Sequence, residues 1–371
     1  MNSQTIKALT VTPATGDLAI RDIPMPELEA DEILVRITRV GLTRRDRLVL
    51  RNHQTAAPDG SDYLIPGHTA VGKIVEMGPL VKEFEVGDLV VPTIRRDCNK
   101  CIDLRSDLCP HPDRYTDSGL LRAHGFAREF IAIKGRYLVK IPRELEDVAL
   151  LLAPLSVAEK AHREAVEILQ RYNFYCYYND ESFSPHTLVT GMGPVGIMTA
   201  FLLSLYNYRL TVFGRRESDD IRSRLFESMD AEYLNTSRVP LERFENAGYS
   251  FNHIFDTTGD PSYILRTIPF MAYNGIMVLM ALPENMTEGP TLEINAGFLF
   301  SRMVAGNQVI IGSIKSGKDA FESSVKHLTE LNDLFGQELS SLITHVYSLE
   351  DYQKVFDLDS RETILPAIDL T

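Results

Sequence analysis

Two textures of hydrophobic spacing divide the chain. Over the first 150 residues the apolar positions fall in short runs, EILVRITRVG, AVGKIVEMG, GDLVVPTI and YLVKIP, broken by Gly, Pro and Asp. Short runs rich in β-branched residues fit a pleated, half-buried surface, and the breakers between them fit turns. They predict a compact, mostly antiparallel β domain with irregular loops. From Val148 to Leu169 the spacing becomes helical, and LAPLSVAEKAHREAVEIL predicts a helix leading into something different. The aromatic and polar segment RYNFYCYYNDESFSPH, 171–186, predicts a linker.

Beyond Thr187 strand-type and helix-type runs alternate. TLVTG, IMTAFLLSLY, LTVFG, DIRSRLFESM, FNHIFDTTG and GIMVLMAL follow one another as βα units, which implies a parallel sheet. After Gly312 one helix, SSVKHLTELNDLF, and one strand candidate, TILPAIDL, remain, and this tail can return to the first domain. The fold class expected is therefore α/β, with a β domain formed by 1–155 and 310–371 and a dinucleotide-binding domain formed by 156–309.

Composition narrows the partners. The 371 residues are enough for two domains at roughly 150 residues each. A net charge of −13 argues against a broad nucleic-acid or anionic-membrane surface, leaving a small-molecule substrate as the expected partner. The chain lacks an 18-residue apolar run, and MNSQTIKALTV lacks a signal-peptide pattern, so a cytoplasmic location is expected. Of the four cysteines, Cys98, Cys101 and Cys109 lie within twelve residues and Cys176 stands apart. Three clustered thiols suit a metal better than a disulfide framework.

The cofactor signal sits at the first βα junction. Gly191, Gly193 and Gly196, with Met192, Pro194 and Val195 between them, form GxGxxG after the strand HTLVT and before a helix. There the glycines permit a tight turn, a close approach to a pyrophosphate and close helix packing. The next strand ends in Gly214, Arg215 and Arg216, where an NAD site usually carries an acid for the ribose 2′-hydroxyl. Two guanidiniums there predict a 2′-phosphate and hence NADP.

These features resemble the medium-chain dehydrogenase/reductase superfamily, a GroES-like β domain followed by a Rossmann domain. GHTAVGKIVEMG, VGDLVVP and GMGPVG carry the resemblance over most of the chain. LVVPTIRRDC, AHGFAREFI, APLSVAEKA, VFGRRES, DTTGDP and GNQVIIGSIKSGKDAF are similar in particular to archaeal-type glucose dehydrogenases. The resemblance implies nicotinamide-linked oxidation of an aldose, a catalytic zinc, often a structural zinc, and a homodimer or homotetramer.

The metals divide on inspection. The family holds its catalytic zinc through G-I-C-G-T-D, GHE and sometimes a Glu before PLSV. Here the corresponding residues are Thr43, His68 with Thr69, and Ala153, so only His68 remains of that set. A catalytic zinc needs three good ligands, and none is expected here unless Asp46 or His53 rebuilds the site. Cys98, Cys101 and Cys109 resemble the family's structural zinc lobe with its third cysteine replaced by Leu104, and Asp113 or His111 could complete it.

What remains is an NADP-dependent oxidoreductase with a remodelled site, acting by hydride transfer on a polyol or sugar-like alcohol, a carbonyl or an activated alkene. Thr43 as a hydroxyl donor, Arg45 as a cation and His68 as a proton handler are the catalytic candidates. Asp117, where sugar-oxidising relatives have a glutamate, and Lys315, where they have an asparagine, are the substrate-binding candidates. A non-catalytic NADP-binding protein and a zinc-dependent aldose 1-dehydrogenase are the alternatives.

Overall fold

The computed structural model describes residues 4–51, 55–96, 98, 106–111, 114–170, 184–206, 208–217, 220–283, 291–359 and 362–371. The chain divides into two compact units, Met1–Ser156 with Lys315–Thr371, and Val157–Ile314. The helix Leu152–Leu169 runs through the boundary between them.

The first unit is built on a seven-stranded sheet. Its central strand, Glu32–Gly41, pairs antiparallel with Thr69–Met77, with Phe130–Lys134 and with the C-terminal strand Ala367–Asp369. Ile33, Val35 and Ile37 alternate inward along it and join Ile74, Val90 and Phe126 in the core. Leu89–Pro92 and Leu138–Lys140 extend the sheet on one side, Val346–Ser348 on the other. That last strand pairs parallel to Ala367–Asp369, an exception in an otherwise antiparallel sheet.

The register of the central pair decides where the chemistry stands. Gly41 pairs with Thr69. Thr43 and Asp46, just beyond Gly41, are thereby brought beside His68, just before Thr69. Gly67 makes the turn into His68 at φ +85, and a Cβ there would stand 2.5 Å from Val40 Cγ1.

The second unit is a six-stranded, all-parallel sheet. Its order is Glu232–Asn235, Arg209–Gly214, His186–Thr190, Phe251–Asp256, Met271–Leu279, Val309–Gly312. In chain order this is 3-2-1-4-5-6, the doubly wound Rossmann arrangement, with its reversal between the first and fourth strands. The central strands are buried along nearly their whole length, polar residues included, as expected of an all-parallel sheet. Among the described residues no helix is long and apolar enough to cross a membrane.

Some elements depart from the sequence pattern. The expected linker lies outside the described residues over 171–183, and His186 already begins a strand. The helix expected over SSVKHLTELNDLF spans Lys318–Ser341, with non-helical geometry at Phe335. Gly336 weakens the helix there, while buried Leu339 and Leu342 hold its last turn in place.

Candidate active site

The GxGxxG turn is built around steric limits. Gly191 has φ +99, and a Cβ on it would lie 2.5 Å from Thr257 Oγ1. A Cβ on Gly196 would lie 2.3 Å from the Gly191 carbonyl oxygen, so neither position accepts a side chain without backbone movement. Gly193, the helix N-cap, faces open space, and Pro194 follows it in the first turn of the helix Pro194–Ser204. Bare helix N–H groups beside an open glycine suit an approaching phosphate.

Neighbouring groups fix this turn. Asp256, fully buried, accepts from Thr190 Oγ1 at 2.6 Å, Thr258 Oγ1 at 2.7 Å and the Gly259 N–H at 3.2 Å. Thr257 Oγ1 donates to the Thr190 carbonyl at 2.7 Å. At the end of the adjacent strand, Gly214 is followed by exposed Arg215 and half-buried Arg216. The Arg216 carbonyl accepts from Tyr233 Oη and Asn235 Nδ2, both at 2.7 Å, and the Arg216 N–H donates to Tyr233 Oη at 3.0 Å. The backbone that presents the two guanidiniums is therefore held, while Arg215 reaches solvent.

In the first unit His68 leans on Asp46. His68 Nδ1 donates to Asp46 Oδ1 at 2.8 Å, which leaves Nε2 as the second functional nitrogen of the ring. The other carboxylate oxygen accepts from the Thr43 N–H at 2.7 Å and from Thr43 Oγ1 at 2.9 Å. This is the reciprocal cap of the helix Arg44–Arg51, with Thr43 as N-cap and Asp46 at the third position. The Thr43 hydroxyl proton is thus engaged on Asp46 and its oxygen accepts from the Arg45 N–H at 3.1 Å. Thr69 Oγ1, next to His68, is buried and has no hydrogen-bond partner among the described residues.

A second polar cluster holds Asp117 and Lys315. Arg95 and Asp117 are register partners on two short strands, Arg95–Arg96 and Thr116–Ser118. Arg95 donates through Nε to Oδ1 at 3.0 Å and through Nη2 to Oδ2 at 3.3 Å. Lys315 Nζ donates to the same Oδ2. Asp117 is wholly buried, whereas the Lys315 side chain is 20% exposed. Arg95 also stacks over Tyr115, with its Cζ 3.7 Å from the ring centre. Burial, then Arg95 and Arg45, push the Lys315 ammonium down to about 7.

Arg45 connects the two clusters. Asp46 steadies its charge, and its charge in turn acts on Lys315. Arg45 and Lys315 therefore feel each other's charge. Asp46 entered the sequence reading only as a spare metal ligand, and Arg95, Tyr115 and Thr69 were absent from its site. The pair Arg95–Arg96 closing an apolar strand was the available signal for the first of these.

For metals, the donor chemistry separates two places. Cys98 Sγ lies 3.3 Å and Cys109 Sγ 3.9 Å from His111 Nδ1, and the three ligand atoms lie within 4.8 Å of one another. Ligands on a tetrahedral zinc stand about 3.5 to 3.8 Å apart, so this group fits one. Cys101 and Asp113 lie outside the described residues. Around His68 the donors are Asp46 and hydroxyls, and among the described residues no third strong ligand groups with these two.

Comparison with known proteins places the chain. Residues 146–370 match the family described as Glucose dehydrogenase C-terminus, and residues 29–143 match the Alcohol dehydrogenase GroES-like domain. Glucose 1-dehydrogenase of Thermoproteus tenax is 34% identical over 95% of this chain and 96% of its own. Glucose 1-dehydrogenase of Haloferax mediterranei is 30% identical over 99% of both chains. The structure of the Haloferax mediterranei enzyme, described as in complex with NADP, Zn and gluconolactone, matches with a TM-score of 0.85 over 98% of this chain and 99% of its own. With a GroES-like β unit, a Rossmann sheet and relatives of this kind over its whole length, the chain belongs to the medium-chain dehydrogenase/reductase oxidoreductases, in the glucose dehydrogenase family.

Proposed function

We propose that this protein catalyses NADP-linked hydride transfer at the hydroxyl-bearing carbon of a sugar-like or polyol substrate, without a catalytic zinc. The observation that carries the cofactor choice is the clamped Arg215–Arg216 backbone at the end of the second Rossmann strand. Its guanidiniums suit the 2′-phosphate, and the open N–H groups at Gly193 suit the pyrophosphate. The NADP complex of the Haloferax mediterranei relative supports the same reading. When bound, the nicotinamide supplies the hydride acceptor.

The polar neighbourhood of the first unit fits a polyhydroxylated ligand. His68 offers Nε2, Lys315 an ammonium or amine, and Arg45 a half-buried positive charge. Arg45 and Lys315 favour the alkoxide that develops as the substrate hydroxyl loses its proton. With its proton on Asp46, Thr43 acts here by capping and orienting, and Asp117 acts by holding Lys315. Cys98, Cys109 and His111, with Cys101 and Asp113 as further candidates, would hold a structural zinc that ties down a loop.

The second reading is a zinc-dependent aldose 1-dehydrogenase, which the zinc in the Haloferax mediterranei complex favours. Here such a metal would rest on His68 and Asp46 with a third ligand still to be supplied. The decisive measurement is NADPH and NADH binding by fluorescence, followed by turnover with aldoses, polyols, carbonyls and enones. Arg215→Glu is expected to weaken NADPH by about tenfold or more, from loss of a charge-assisted contact, and NADH far less. Equal loss for both nucleotides would remove the 2′-phosphate assignment, and tight binding without turnover on any class would favour a non-catalytic nucleotide-binding protein.

A further inference from the structure

We propose that Arg128, Arg21, Tyr63 and His124 form a binding site in the first unit for a tetrahedral oxyanion of the phosphate class. The site shares no residue with the nucleotide turn or with the polar residues assigned to the substrate. It is carried by a convergence of hydrogen-bond donors that have no acceptor to meet.

The backbone brings the two arginines together. Ala8, in the strand Thr5–Val11, pairs with Arg21 of the strand Leu18–Pro24 and, through an isolated antiparallel bridge, with Arg128. Cross-strand partners share a sheet face, so both arginine stems rise beside the Ala8 methyl. Arg21 places its Cζ 5.1 Å from the centre of the Tyr63 ring, and His124 stacks on that ring at 5.1 Å with 19° between the planes. The charge of Arg128 acts on both His124 and Tyr63.

Each polar group here is left with a donor. The Ile65 N–H donates to His124 Nδ1 at 3.2 Å, which fixes the neutral ring as the tautomer with its proton on Nε2. Burial and the Arg128 charge push this imidazole down to about 4, so it stays neutral at pH 7. Among the described residues neither His124 Nε2 nor Tyr63 Oη has a hydrogen-bond partner. Arg128 Nε is buried without one, and only the Tyr63 phenol favours the charge of that guanidinium.

The neighbouring acids do not supply the missing charge. Asp62 is 83% exposed and pairs with Arg21 at 3.7 Å. Glu129 and Asp22, the chain neighbours of Arg128 and Arg21, act on Lys7 instead, and Glu129 accepts the Lys7 N–H at 2.7 Å. A guanidinium in a poorly hydrated place without a counter-charge is destabilising until an anion joins it. One guanidinium fork, an imidazole N–H, a phenol O–H and a second guanidinium on the same ring call for a ligand that accepts in several directions. A phosphate group has that form, whereas a planar carboxylate fills one fork and leaves the other donors bare. Arg128, Tyr63 and His124 are each half-buried rather than sealed, so such a ligand can reach them.

NMR of the full-length protein with labelled histidines reads the site without turnover. Ring nitrogen shifts at pH 7 should show His124, assigned by its absence from His124→Phe, protonated on Nε2 alone. Inorganic phosphate added at constant ionic strength should move the His124 signal along a saturable curve. Arg128→Gln should weaken that binding by about tenfold or more, from loss of a charge-assisted contact, and Tyr63→Phe by about fivefold. Thermal unfolding in phosphate-free buffer checks that each variant is folded. Arg21→Gln, at the more exposed arginine, should weaken binding about threefold and carries the test where Arg128→Gln does not fold. Protonation on Nδ1, the absence of a saturable shift, undiminished binding by the folded arginine variants, or acetate binding as tightly as phosphate would each overturn the proposal. Glycerol 3-phosphate then identifies the source, since tighter binding than inorganic phosphate assigns the site to a phosphate ester and equal or weaker binding assigns it to the free ion. Either result keeps the site, and none of these readouts depends on hydride transfer.

Discussion

His68 and Lys315 each lean on a carboxylate, in opposite circumstances. Asp46 receives the imidazole and two neutral donors from Thr43, whereas Asp117 is shared by two cations. The difference has a consequence for stability with a definite sign. Lys315 is pushed down from 10.5 to about 7, so between those values the unfolded chain carries a proton that the folded chain does not. Stability from this group therefore rises with pH across that window, and the cost is fully present below it. Lys315→Met, which removes a poorly hydrated cation and leaves Arg95–Asp117 intact, should be stabilising at pH 6 by about 1 to 3 kcal/mol relative to its effect at pH 10, after discounting about 1.4 kcal/mol per pH unit for solvent access. Urea unfolding of both proteins at the two pH values reads it, and an equal effect at both would show that the amine is not depressed. Asp117→Asn should instead cost about 3 to 5 kcal/mol, because it removes the buried carboxylate that accepts from both Arg95 and Lys315. The identities of these residues could be read from the sequence, but their pairings could not. Asp46 and His68 are 22 residues apart, and Asp117 and Lys315 are 198 apart. Strand register brings Asp46 to His68 through the pairing of Gly41 with Thr69, and a loop after the last Rossmann strand brings Lys315 to Asp117, neither of which periodicity encodes.

At the scale of elements, legibility followed how local the cause was. The βα turn at Gly191–Gly196 could be read because each glycine answers a constraint a few residues away. By contrast the helix Ala296–Ala305 has no buried residue, so its apolar spacing marks no core face and no helix was expected there. The helix Arg44–Arg51 was missed because its start depends on the Thr43–Asp46 cap rather than on apolar periodicity. The turn supports a paired prediction. Gly196→Ala places a methyl 2.3 Å from the Gly191 carbonyl oxygen and 2.7 Å from Thr257 Oγ1, and neither is the far end of a flexible side chain. It should cost about 1 to 3 kcal/mol of stability through overpacking and weaken NADPH as well. Gly193→Ala meets nothing within 4 Å, so stability should hold to within about 0.5 kcal/mol while NADPH binding falls, because the space it fills is the approach to the phosphates. Thermal unfolding and NADPH fluorescence on the two variants separate packing from ligand access. Equal behaviour of the two would mean that the turn does not face the nucleotide.

For the molecule as a whole, the change from β runs to βα units announced two architectures, and composition pointed away from nucleic acid. Metal content is the quantity on which the competing functional readings differ most. A chain with only the Cys98, Cys109 and His111 group should hold one zinc, whereas a zinc-dependent dehydrogenase of this build should hold a second at His68 and Asp46. Elemental analysis of the purified protein should give one zinc per chain, and Cys109→Ser should bring it close to zero. The variant should also unfold earlier, at roughly 2 to 4 °C per kcal/mol lost for a domain of 150 to 250 residues, since a metal bound only by the folded lobe adds its binding energy to folding. Turnover per folded molecule should change far less than zinc content, because the nucleotide turn and the polar residues assigned to the substrate share no residue with this group. One zinc retained by Cys109→Ser, and lost together with activity in His68→Ala, would instead place the metal at the reaction centre and make the Asp46–His68 pair its ligands.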